Sequence, residues 1–133
     1  MGKDKAQRSK IRLPPFVAMP WDILNAMAYQ RLPPNAAKAL PFFFGRPKIS
    51  FADPQYLKTV FSFTYPEAKR LGFARGTWAR VLRELVENGF IDPVSKGGLR
   101  GNGKSASQFR LSDRWKEYGK NDFELIDLKT WGT

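Results

Sequence analysis

Trp78, Val81, Leu82, Leu85 and Val86 recur at i, i+3, i+4, i+7 and i+8, which predicts a helix with one buried stripe. Just upstream, Thr64 and Glu67 form a T-x-x-E pattern. That pattern predicts a capped helix starting at Tyr65, with Pro66 tolerated in its first turn. Ala68 and Leu71 give this shorter helix an apolar face, Gly72 stands where the chain must leave it left-handed, and Phe73 plugs the turn. Asn88-Gly89 ends the second helix, and from there the apolar period falls to two. Phe90-Ile91 opens a strand that Pro93 confines to a sheet edge, and Gln108-Phe109-Arg110-Leu111 alternates as a half-buried strand should.

The N-terminal half carries weaker periods. Pro20 suits the first turn of a helix through Trp21, Ile23, Leu24, Met27 and Ala28 towards Leu32, and Pro33-Pro34 stops it. Asn35 is a suitable cap for a second short helix through Ala36, Ala37, Ala39 and Leu40, whose end Pro41 and Gly45 should disturb. Phe42-Phe43-Phe44 could be a stacking platform for bases, but three consecutive aromatics cannot face one way, so core packing is expected. Ile49-Ser50-Phe51 and Phe61-Ser62-Phe63 are two strand candidates, either able to pair with the later hairpin. Asp53-Pro54 starts a turn or brief helix through Tyr56, Leu57 and Val60. Beyond the hairpin, Ser112 is expected to cap a helical turn holding Trp115 and Tyr118. The apolar residues Phe123, Leu125, Ile126, Leu128 and Trp131 should then fold back or meet a partner.

The reading is therefore α+β, mainly α, in three parts. Residues 1–12 (MGKDKAQRSKIR) form a disordered basic arm, 13–118 one domain, and 119–133 a tail packing on the domain or on a partner. Two helices joined by a Gly turn and followed by a hairpin have the order of a helix-turn-helix with a wing. Between its apolar positions the second helix exposes Arg75, Gly76, Thr77, Ala79, Arg80 and Arg83, without an acid among them. A helix fits the major groove, Arg offers a planar fork to guanine or phosphate, and small residues let the helix sit deep. Arg75, Thr77, Arg80 and Arg83 are thus candidates for the groove, beside Gly76. The hairpin tip from Ser95 to Ser105 holds three cations and no anion. Lys96, Arg100 and Lys104, with Lys69 on the first helix, are candidate phosphate contacts, and Asn102 and Ser105 secondary ones.

Charge strengthens this picture. Lys plus Arg is 23 against 12 acids, a net +11 with a pI near 10.2, which favours polyanionic partners. The excess is concentrated in residues 1–12 and 64–110, while the tail is nearly neutral. The chain has no Cys and no His, which removes disulfides, thiol nucleophiles, His bases and the usual zinc sites. The acids are scattered, so neither a catalytic residue, a cofactor nor a metal is expected. No apolar run approaches the ~20 residues of a membrane span, and a cytoplasmic location without a membrane partner is expected. Gly98-Leu99-Arg100-Gly101-Asn102-Gly103-Lys104-Ser105 satisfies the G-x-x-x-x-G-K-[ST] pattern of a phosphate-binding loop. Such a loop opens a helix, whereas the residues after Ser105 alternate as a strand, so the match is expected to be inert.

Residues 16–118 resemble a winged helix-turn-helix domain of the kind found in regulators and replication proteins of prophages, plasmids and integrated elements. The resemblance is carried by Ala68-Lys69-Arg70-Leu71-Gly72-Phe73, by Trp78 and Val81, and by Leu85-Val86-Glu87-Asn88-Gly89-Phe90-Ile91 at the passage from recognition helix to wing. Phe16-Val17-Ala18-Met19-Pro20-Trp21-Asp22-Ile23-Leu24 and Leu32-Pro33-Pro34-Asn35-Ala36-Ala37 are similar to the opening of such proteins. It implies a three-helix core with a small antiparallel wing and extra helical segments at both ends. It also implies sequence-preferring binding of double-stranded DNA, in transcription regulation, replication or mobile-element maintenance. Two alternatives stay open: a protein-interaction module in a larger complex, and a binder of single strands or RNA. A homodimer or a partner protein could be held through the tail.

Overall fold

Phe43, Phe63, Phe73 and Trp78 meet in the middle of the molecule, with Trp78 ring centroids 5.8, 4.8 and 5.3 Å from the other three in that order. The computed structural model describes residues 14–96 and 106–132. Around the cluster run α1 (Trp21–Leu24), α2 (Met27–Gln30), α3 (Pro34–Phe44), a 3₁₀ turn (Tyr56–Lys58) and β1 (Phe61–Ser62). They are followed by α4 (Tyr65–Arg70), α5 (Arg75–Glu87), β2 (Ile91–Ser95), β3 (Gln108–Leu111) and a second 3₁₀ turn (Arg114–Glu117). The fold of the described residues is α+β and mainly helical, with five helices and one three-stranded antiparallel sheet. None of these helices is long and apolar enough to cross a membrane.

The strand order is β1-β3-β2, so β3 is central and Pro93 of β2 lies on an edge, where its missing N–H costs no ladder bond. Of the two early strand candidates only Phe61-Ser62 pairs, opposite Phe109 and Gln108 of β3. The segment at Ile49 to Phe51 is a turn instead. Lys48 adopts a φ of 63°, the Ser50 hydroxyl accepts the Ala52 N–H, and Asp53 accepts that of Gln55. These local side-chain bonds compete with a ladder for the backbone donors. The sheet's inner face adds Phe61, Ile91, Phe109 and Leu111 to the core, each worth about 1.5–3 kcal/mol of burial.

Two further elements differ from the periodic reading. The first helix is broken at Ala26, whose ψ of 146° is extended, so Trp21–Leu24 and Met27–Gln30 are separate single turns. The break delivers the Ala28 carbonyl to the buried Asn88 side chain, which donates to it from Nδ2 at 2.9 Å. α3 runs on past Pro41 to Phe44, because full burial of Leu40 and Phe43 outweighs the backbone bond that Pro41 cannot donate. Asn35 lies within the first turn of α3 rather than at its cap; Pro33 holds the cap position and Pro34, with its preset φ, starts the helix.

The end of α5 is locked from below. Gly89 has a φ of +89°, and a Cβ there would stand 2.6 Å from the Trp115 nitrogen, so only glycine fits. Arg114 reaches the same place. It donates from Nη2 to the Val86 and Ile91 carbonyls at 2.8 and 3.1 Å and from Nη1 to the Glu124 carbonyl at 2.7 Å. Ser112 does not cap the last turn by the expected helical pattern, but its hydroxyl accepts the Arg114 N–H at 3.0 Å. Past Gly119, Phe123 meets the Tyr118 ring edge-on and Ile126 and Leu128 lie against the core.

Candidate nucleic-acid interface

Two helices and the turn between them build the site. In α4 the Thr64 hydroxyl accepts the Glu67 N–H at 3.4 Å while the Glu67 carboxylate accepts the Thr64 N–H at 2.9 Å. This reciprocal cap satisfies two donors that the helix start leaves open. Burial pushes the Glu67 carboxyl up, but the Thr64 N–H and the Arg46 guanidinium, 2.9 Å away, outweigh it and hold the group below the usual range. Gly72, at φ +95°, then turns the chain, and the Phe73 N–H returns to the Ala68 carbonyl at 3.1 Å. Phe73 is buried under the turn and sets α5 against α4.

α5 buries Trp78, Val81, Leu85 and Val86 and turns Arg75, Gly76, Ala79 and Arg80 outward. Thr77 and Arg83 are half-buried at the flanks. A Cβ added to Gly76 would meet nothing within 4 Å, so the small residue leaves open space above the helix rather than relieving a clash inside the protein. No acid lies in the first turn, and Ala74 at the cap position contributes no side-chain acceptor. The second half is different. Glu84 and Glu87 share the outer face, and the Glu84 carboxyl is raised by burial and by Glu87, against the pull of Arg80 and Arg83. The acid-free surface is therefore the N-terminal half of α5, and Arg83 sits at its border with Glu84.

β2 and β3 pair antiparallel, with a bulge between Pro93 and Ser95. Lys96 is exposed, but its ammonium donates to the Lys129 carbonyl of the tail at 3.3 Å. Lys69 is exposed on the last turn of α4, where a cation also complements the helix dipole. Arg100, Asn102, Lys104 and Ser105 lie outside the described residues, as does the basic arm. The strand Gln108–Leu111 follows the phosphate-loop pattern where a true one would open a helix.

Lys38 and Arg46, absent from the sequence reading, lie near the same helix pair as Arg75. The Lys38 ammonium of α3 lies 4.9 Å from the centroid of Phe73, and Arg75 stacks 4.3 Å from that of Tyr65. Arg46 stacks 3.9 Å from the Phe63 centroid and is neutralised by Glu67. Beside it, Arg46, Lys48 and Arg70 line an open groove of about 460 Å³ with Val17 and Phe42. Lys38 carried no signal in the chain, because its contact with Phe73 spans 35 positions and two helices. Searched against protein-family models, curated proteins and solved structures, the chain matches none of them.

Proposed function

We infer that this chain is a winged helix-turn-helix domain that binds double-stranded DNA with sequence preference. Its role is that of a transcription regulator or of an accessory protein in replication or in a mobile element. The observation that carries the inference is the outer face of α5: Gly76 and Arg80 stand opposite the buried Trp78 and Leu85, Arg75 and Ala79 are exposed on its flank, and no acid lies in the first turn. Small residues beside arginine forks suit a helix lying in a major groove. The element order supports it too, since the helix pair runs directly into an antiparallel hairpin whose second strand also pairs β1. Binding of this kind needs neither catalysis nor cofactor. In this reading Lys69 and the hairpin tip, with Arg100 and Lys104, hold phosphates, while Lys96 must first leave the Lys129 carbonyl.

A second reading, a protein-interaction module, is favoured by the exposed Phe16 and Trp21, 72% and 76% accessible. The deciding experiment is selection of bound fragments from a random-sequence duplex pool. Recovery of one shared motif supports the DNA reading. No duplex retention at low salt overturns it in favour of a protein partner.

A further inference from the structure

We propose that Lys38 and Arg75 form a two-cation phosphate clamp at the turn between α4 and α5, held by the rings of Phe73 and Tyr65. The proposal rests on the DNA reading and deepens it, by moving Arg75 from the bases to the backbone.

The argument starts from what each cation touches. The Arg75 guanidinium lies over Tyr65, the first residue of α4, so it leans back across the helix pair and away from the outer face that Arg80 occupies. A guanidinium held over a ring face still has its five N–H donors to offer to an anion. Lys38 sits over Phe73, and its ammonium would be 3.8 Å from a Cβ on Gly72. Phe73 and Arg75 are two residues apart, a span of at most about 7 Å, so both cations border one turn. Neither forms an ion pair among the described residues, and neither do Lys69 and Arg70 beside them. Arg46 gives the internal contrast: it too stacks on a ring, but Glu67 has already taken its charge. Stacked, unpaired cations around one turn are pre-organised for a divided negative charge such as successive phosphates. Base edges, by contrast, lie deeper than a rim position reaches.

The test measures duplex affinity against salt for one preferred and one scrambled duplex, with thermal melting of every variant. Lys38→Ala and Arg75→Ala should each weaken both duplexes alike and make the salt slope shallower by about one. Lys120→Ala, which removes one charge from a residue paired with Glu117, should leave the slope unchanged. Tyr65→Phe should bind as wild type, whereas Tyr65→Leu should lose on the order of threefold in affinity with the slope kept. Arg75→Lys, which keeps the charge without the fork, should lose a similar amount and covers the case of a poorly folded Tyr65→Leu. Unchanged slopes in Lys38→Ala and Arg75→Ala, with wild-type binding intact, overturn the clamp and leave the DNA reading standing. A loss in Arg75→Ala confined to the preferred duplex also overturns it. No binding by the wild-type protein removes the DNA reading itself.

Discussion

Arg114 donates from Nε to the Asp92 carboxylate at 2.6 Å, and the same guanidinium binds the end of α5, the start of β2 and the tail. With the Asp92 and Arg114 side chains only 18% and 12% accessible, this pair works in a largely water-excluded place. It ties the start of β2 to the end of α5.

Removing Arg114 strands three carbonyls and leaves Asp92 only its longer contact with Arg110, at 3.9 Å. Arg114→Ala should cost about 3–5 kcal/mol of stability, the range for breaking a buried pair. Arg114→Lys should recover only part of it, because one ammonium cannot reach four acceptors in a fixed plane. Urea unfolding of the two variants and wild type checks this; equal midpoints would show that the network adds nothing.

Gly89→Ala should be among the most damaging single-methyl changes. Its Cβ meets backbone atoms of Arg114 and Trp115 at 2.8 Å and less, with φ at +89°. A cost above about 2 kcal/mol is expected from strain and clash together. Melting within a degree of wild type would contradict it.

Glu67 and Glu84 should respond to pH in opposite senses. Glu67 is lowered in the fold, so its contribution is present above the ordinary carboxylate range and is lost as pH falls through its lowered value. Thr64→Ala should cost about 1 kcal/mol at neutral pH by removing the cap, and Glu67→Gln should lose its disadvantage in acid. Glu84 is raised, so its ionisation opposes folding at neutral pH, and that opposition fades as pH falls through the raised value. Glu84→Gln should melt no lower than wild type and bind duplex more tightly, since Arg80 and Arg83 lose a competing anion. Weaker binding by Glu84→Gln would remove this face from the interface.

Arg80→Ala should separate base reading from backbone binding. The residue is exposed one turn into α5, opposite Trp78 and Val81. Loss of a bidentate base contact should cost about 1–3 kcal/mol on the preferred duplex and relax the choice at one position. Melting should stay near wild type. Equal losses on preferred and scrambled duplexes would show that Arg80 meets phosphate instead.

Wild-type binding should be steeply salt-dependent. If roughly five phosphates are neutralised, log K should fall with log salt at a slope of about −4 to −5. Titration of a fluorescent duplex from low to moderate salt measures it, and a slope near zero would exclude an interface built on Lys and Arg.

The parts legible in the chain are those whose cause lies within a few residues. Thr64 and Glu67 cap α4 because the two are three positions apart; Gly72 and Gly89 turn left-handed because no Cβ stands in the way; Trp78 to Val86 bury one stripe because 3.6 residues make a turn. Pro93 announced an edge strand by lacking a donor. The same locality explains the failures. Helix propensity around Asn25 and Ala26 could not foresee a break that serves Asn88, 60 residues from Ala28, nor could Pro41 end a helix whose next turn carries the buried Phe43.

The outer face of α5, with Gly76 and Arg80, was determined by sequence alone, because one helical period decides both its buried and its exposed side. Tertiary structure decided which cations near that face stand unpaired among the described residues. Lys38 came to the turn through Phe73, Arg46 was neutralised by Glu67, and Lys96 was tied to the Lys129 carbonyl. It also chose β1 over the Ile49 segment and made Arg114 the joint between helix, sheet and tail. Contacts of this kind join residues tens of positions apart, and no local period or spacing records them; only packing of the whole core brings the partners within a few ångströms.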